Sequence, residues 1–144
     1  TDVVRATQAH DHVEIGTELA PGVPRVVGDP VAFRRILENL TANAVDSLQS
    51  KPGRITISTQ VVHRDGELPV VRVTVADTGR GMSRDEAGQI FNDFYTTKVG
   101  GTGLGLSIVR RLVMDLHGTL GVESVPGTGT RIIVDIPAGG SRRT

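Results

Sequence analysis

Gly101-Thr102-Gly103-Leu104-Gly105-Leu106 runs directly into Ser107-Ile108-Val109-Arg110-Arg111-Leu112-Val113-Met114-Asp115-Leu116. Leu106, Val109, Leu112, Val113 and Leu116 recur at helical spacing, so a glycine-rich turn stands where an amphipathic helix begins. A helix amino terminus presents unpaired N–H groups and the positive end of its dipole, and Gly101, Gly103 and Gly105 let an anion reach that backbone with no Cβ in the way. Two readings stay open at this point, a phosphate cradle for a nucleotide and an ordinary hinge or cap.

On the carboxyl side of this helix, Gly118 reads as its C-cap. Strands at about 119–125 and 130–136 follow, joined by Pro126-Gly127-Thr128-Gly129, and Ala138 to Thr144 reads as a frayed tail. On the amino side, residues 77–105 mix glycines, polar residues and a few aromatics, with a short helix expected near Arg84 to Phe91. So irregular a stretch in a small domain is usually functional or mobile. Further back, residues 54–63 and 70–77 are rich in Val, Ile and Thr and flank a polar loop, the pattern of an antiparallel hairpin.

Asp29-Pro30 reads as an N-cap with proline at the first helical position. Phe33, Ile36, Leu37, Leu40, Ala44 and Leu48 then recur at helical spacing until Lys51-Pro52-Gly53. A short strand is expected at 12–18. Hairpins and interleaved helices, rather than repeated βαβ units, predict an α+β two-layer sandwich. Its mixed, mainly antiparallel sheet is covered by helices on one face and more open on the other. Residues 1–137 read as a single domain, with 138–144 as the flexible tail.

The 144 residues suffice to bury a core without disulfides. Sixteen basic and sixteen acidic side chains cancel, so no global field favours nucleic acid or an anionic membrane. Three Phe, one Tyr and no Trp leave little with which to stack bases. The absence of cysteine excludes disulfide and thiolate chemistry and suits a reducing compartment. No apolar run approaches the roughly twenty residues of a membrane helix. A soluble, cytoplasmic, monomeric module is expected. The chain opens on Thr1 in mid-pattern rather than on Met, which suggests a piece of a longer protein.

Asn39 and Asn43 fall one turn apart at the border of the apolar face of their helix. Asparagine is a mediocre helix former, so its use there twice calls for a reason. Either the amides bond a neighbouring loop, or the Asn43 oxygen serves as a hard ligand for magnesium. Asp77 ends a run of β-formers and opens Asp77-Thr78-Gly79-Arg80-Gly81-Met82. It is either part of a plain turn or a carboxylate accepting from an exocyclic amino group, with Gly79 and Gly81 letting a flat ring lie against the backbone.

Five segments in order, Asn39-Leu40-Thr41-Ala42-Asn43-Ala44, Asp77 to Met82, Ile90-Phe91-Asn92-Asp93-Phe94-Tyr95-Thr96-Thr97-Lys98, Gly101 to Leu106 and Gly127-Thr128-Gly129-Thr130, resemble the N, G1, F, G2 and G3 boxes of sensor histidine kinases. The resemblance covers about residues 29–137 and is to the catalytic and ATP-binding domain of the GHKL superfamily, the Bergerat fold shared with gyrase-type and heat-shock chaperone ATPases. Phe94-Tyr95-Thr96-Thr97-Lys98 with a short following loop is similar to the nitrogen-regulation branch.

The resemblance implies ATP and Mg2+ as cofactors. Asp77 would accept from the adenine amino group beside Gly79, Gly81, Met82 and Thr130; Asn43 would hold the metal; Asn39 would face the phosphates. Residues 83–100 would form an ATP lid anchored by Phe91 and Phe94, with Thr97 nearby and Lys98 available to the γ-phosphate. Gly101, Thr102, Gly103, Leu104 and Gly105 would supply the phosphate-binding turn. Asn43 and Lys98 would be the catalytic pair.

In the ATPase branches a glutamate stands where this chain has Asn39, so slow attack by water is expected and the phosphoryl group is kept for histidine. Glu38 lies about 100° round the helix and is not expected to substitute. His10, His12, His63 and His117 lack the surroundings of a phosphoacceptor and read as structural or solvent-facing. The partners implied are therefore a histidine-bearing dimerisation domain outside this chain and a response regulator. The other readings are an ATP-gated binding module without transfer and a GHKL-type ATPase.

Overall fold

Runs of Val, Ile and Thr become five strands because branched side chains fit a pleated surface with one face buried. The computed structural model describes residues 13–19, 30–49, 51–63, 65–92 and 105–138. In chain order they form β1 (Val13–Leu19), α1 (Pro30–Ser47), β2 (Gly53–Val62), β3 (Val70–Asp77), α2 (Arg84–Ala87), α3 (Gly105–Asp115), β4 (Thr119–Val125) and β5 (Gly129–Pro137). The sheet order is β1-β2-β3-β5-β4. β1 pairs with β2 in parallel, the pairing that demands a crossover and places α1 between them; the other three pairings are antiparallel. The expected α+β sandwich with a mixed, mainly antiparallel sheet is the observed architecture.

Register assigns each residue its layer. Ile55 and Ile57 of β2, Val75 of β3 and Ile132 and Val134 of β5 face the helices and join Ile36, Leu40 and Ala44 of α1 and Val109 and Val113 of α3 in one core. The other face carries direct cross-strand ion pairs between register partners. These are Arg54–Glu14 (3.5 Å), Arg131–Glu123 (3.4 Å) and the two-pronged Arg72–Asp135 pair, at 2.8 and 2.9 Å. The alternation therefore sorts apolar from charged side chains to opposite layers, and α1 and α3 cover only the first.

Leu40 has no exposed surface. Leu40→Ala is expected to cost about 3 kcal/mol through lost burial and a residual cavity, lowering the thermal midpoint by roughly 10 °C. Thermal denaturation followed by circular dichroism checks this.

Several boundaries differ from those the sequence predicts, each for a physical reason. The expected α2 near 84–91 is a helix only to Ala87, after which the backbone continues in turns. α1 ends at Ser47, with Gln49 left-handed at φ 55°, before Lys51-Pro52-Gly53 is reached. At the end of α3 the left-handed residue is His117 (φ 61°), not Gly118. His117 N donates to Met114 O at 2.9 Å and Gly118 N to Val113 O at 2.9 Å, the paired bonds of a Schellman cap shifted by one residue. Gly118 is instead pressed against the Asp135 carbonyl of β5, where a Cβ would lie 2.5 Å from the oxygen. Ala138, expected in the tail, is buried and donates to Pro69 O at 3.0 Å, so it belongs to the packed body. Asp29, the expected cap, and residues 139–144 lie outside the described residues.

Candidate nucleotide site

Asp77 is the last residue of β3, and register sets it opposite Ile55 of β2 on one side and Thr130 of β5 on the other. Its carboxylate is buried, with 8% of its surface exposed. Ser47 Oγ, from the last turn of α1, donates to Oδ1 at 3.1 Å, and Gly79 N donates to the same oxygen at 2.8 Å. Burial pushes the Asp77 carboxyl above its usual range, while the Gly79 amide, the Ser47 hydroxyl, the Thr130 amide and the positive Arg80 pull it part of the way back. The expected base-reading acid is thus a desolvated group, two of whose donors converge on one oxygen.

The loops around it are locked together. Thr130 is buried, and its hydroxyl lies 2.8 Å from Ser124 Oγ in β4. Ser124 Oγ also accepts from Met82 N at 2.8 Å and lies 3.1 Å from Gly129 O. Gly127 N donates to Arg80 O at 2.7 Å, which ties the β4–β5 turn to the segment after β3. Gly81 holds φ 68° and its α-carbon abuts the Val125 carbonyl, so a side chain there would be strained and would strike backbone. Met82 is buried in the core, and Phe91 is half-buried against it.

Asn39, Asn43 and Ser47 stand at intervals of four on α1 and share one ridge, rising by about 6 Å per step. Since Ser47 touches Asp77, the ridge starts at the carboxylate and carries the two amides away from it. Both asparagines are half-buried, and neither amide bonds another described residue. Glu38 points elsewhere, exposed and paired with Arg34 at 3.1 Å, which removes it as a base at this face.

Gly105 opens α3 as expected. Phe94, Thr97, Lys98, Gly101, Thr102, Gly103 and Leu104 lie outside the described residues, as do His10 and His12. His63 and His117 are exposed. Ser83 and Glu86 form a capping box at α2, and Arg80 reaches Glu86 at 3.5 Å. The Ser83 amide, helped by Arg80, holds the Glu86 carboxyl below its usual range.

Sequence reasoning missed Ser47 and Ser124. Ser47 had a legible signal, its four-residue step from Asn43, whereas Ser124 is defined only by the pairing of β4 with β5.

The family described as Histidine kinase-, DNA gyrase B-, and HSP90-like ATPase (HATPase_c) matches residues 28–140. The chain belongs to this family. Among relatives of this HATPase_c domain, Sensor protein EvgS of Escherichia coli O157:H7 is 38% identical over 113 residues, which span 76% of this chain and 9% of EvgS. Sensor histidine kinase ZraS of Klebsiella oxytoca is 36% identical over 123 residues, 85% of this chain and 26% of ZraS. The chain therefore corresponds to about a quarter or less of these relatives' length. A solved structure of full-length ShkA in complex with AMPPNP superposes with a TM-score of 0.77 at 31% identity, covering 94% of this chain and 29% of ShkA. No helix among the described residues is long and apolar enough to cross a membrane.

Proposed function

We propose that this domain binds Mg-ATP and transfers the γ-phosphoryl group to a histidine on a separate dimerisation domain, for relay to an aspartate of a response regulator. The observation that carries the reading is the buried Asp77 carboxylate joined through Ser47 to the ridge bearing Asn39 and Asn43. Asp77 accepts from the exocyclic amino group of adenine, with the Gly79–Gly81 backbone and Thr130 lining the ring. The half-buried amides face the triphosphate, Asn43 as the oxygen donor to the metal and Asn39 toward the phosphates. No cluster of three His, Asp or Glu that could hold a metal exists among the described residues. One amide plus substrate phosphates and water suits magnesium, which rarely uses an all-protein cage. When bound, the metal neutralises charge on the triphosphate.

Lys98, Phe94 and Thr97 of the lid, and the Gly101 to Gly105 turn, complete the phosphate end in this reading, the turn by N–H donation at the start of α3. With an amide at Asn39 and Glu38 paired with Arg34, no carboxylate among the described residues of this face of α1 stands ready to activate water. The γ-phosphorus then waits for an imidazole nitrogen, which forms the N–P bond as the bond to ADP breaks. The likeness to sensor kinases and to the AMPPNP complex of ShkA supports this chemistry.

The test mixes the domain with ATP and a dimerisation fragment bearing the acceptor histidine. Acid-labile phosphohistidine is the expected product, and Asn43→Ala should reduce its rate by about 100-fold, ~2.7 kcal/mol of lost charge stabilisation. Undiminished transfer by Asn43→Ala would remove the metal role. Sustained phosphate release by the domain alone would favour an ATPase.

A further inference from the structure

Ser47 belongs to none of the resemblance's boxes, yet three observations converge on it. Its hydroxyl donates to Asp77 Oδ1 at 3.1 Å. Its carbonyl accepts from Arg80 N at 3.0 Å, across the loop that follows β3. Gly79 lies so close that a Cβ there would overlap both Ser47 Oγ and its carbonyl, so the helix end and the loop are in direct contact. The same side chain lies two steps along the ridge from Asn39 and one from Asn43.

We infer that Ser47 is a positioning residue that fixes the rotamer of the base-reading Asp77 and ties it to the helix carrying the phosphate-end amides. A carboxylate at the end of a strand can turn about χ2, and the Gly79 amide on Oδ1 and the Thr130 amide oppose that rotation only from the side of the sheet and its loop. A further donor on Oδ1, from the helix, removes the freedom and presents Oδ2 in one direction. The hydroxyl also favours the ionised form against the burial that opposes it. Among the described residues, Arg80 is the charged side chain whose field reaches Asp77, and its backbone is itself held by Ser47. The base end and the phosphate end of the site are therefore joined through one hydroxyl and one carbonyl of the same residue.

This inference rests on the nucleotide reading for its role in binding, but not for the state of Asp77. The experiment follows the Asp77 side-chain carboxyl carbon by NMR across a pH titration of the nucleotide-free chain, and ATP affinity across the same range by calorimetry. In Ser47→Ala the Asp77 titration moves to higher pH. ATP affinity at pH 7 falls roughly tenfold, as for loss of a hydrogen bond to a charged group, and the fall deepens as pH is lowered. Ser47→Cys, of similar volume but a weak donor, gives a smaller shift in the same direction and carries the test if the alanine variant does not fold. A merely structural serine would weaken binding equally at every pH and leave the carboxyl titration in place; that outcome overturns the proposal. If wild-type protein fails to bind ATP, the nucleotide reading is lost while the carboxyl titration still decides the role of Ser47.

Discussion

Asp77→Asn is expected to abolish useful nucleotide affinity while leaving the fold at least as stable as the wild type. The two effects separate because they come from different properties of the carboxylate. The Ser47 hydroxyl and Gly79 amide both donate to Oδ1, so an asparagine must place its own oxygen there and turn its NH2 group to where Oδ2 was. An amide donor then meets the adenine amino donor. Loss of a hydrogen bond to a charged acceptor, with a mismatch in its place, should weaken ATP by about two orders of magnitude, ~2.7 kcal/mol.

Stability goes the other way. Burial raises the folded-state Asp77 carboxyl above its unfolded value, so in the pH window between the two the folded chain holds the extra proton. The contribution of this group is thus most favourable below the unfolded value, declines as pH rises through the window, and is a full cost above the folded value. Asparagine does not titrate and removes that cost. The expected thermal midpoint of Asp77→Asn at pH 7 equals or exceeds that of the wild type, and the difference narrows as pH falls. A variant that both retains ATP affinity and loses stability at neutral pH would contradict the assignment of Asp77 as the desolvated base reader.

Gly129→Ala is expected to damage fold and site together. Gly129 sits at φ 147°, a conformation that L side chains rarely adopt, and an added Cβ would overlap the main-chain carbonyl of Asp77 itself. The obstruction is backbone on a central strand, which has no flexible end to swing away. Relief requires β5 to separate from β3 where Asp77 faces Thr130, and that displacement also breaks the Ser124 link to Gly129 O and Thr130. Strain and lost pairing together should cost about 3 kcal/mol, a fall of roughly 10 °C in thermal midpoint, with ATP affinity lost in parallel. Gly127, by contrast, has open space around its Cβ position, so any cost of Gly127→Ala comes from its positive φ alone and should be smaller. Comparing the two melting curves isolates the close approach from the general cost of replacing a turn glycine.

The contrast between these residues shows how far local pattern reaches. Asp77 was legible as a site candidate because a carboxylate at the end of a strand-forming run, followed by Gly79 and Gly81, is a local signal. Asn39 and Asn43 were legible because helical spacing and poor helix propensity are local too. Strand positions, the buried stripe of α1 and the mixed sheet followed from alternation and periodicity, which depend only on residues near one another in the chain. The cap of α3 was misplaced by one position because the glycine at 118 serves contact with β5, a requirement that arises 17 residues later at Asp135. Ser47 and Ser124 looked like ordinary polar residues of a helix end and a strand.

By itself, then, the sequence determined the elements, the layer to which most side chains belong and the polar residues, Asp77, Asn39 and Asn43, that stand out as site candidates. Each of these depends on short-range periodicity, propensity or side-chain chemistry. Only the tertiary structure decided which polar groups meet. The pairing of β3 with β5 sets Thr130 opposite Asp77, and the docking of α1 brings Ser47 across 30 residues onto the same carboxylate. That meeting desolvates Asp77 and aims it, and it depends on packing between elements distant in the chain.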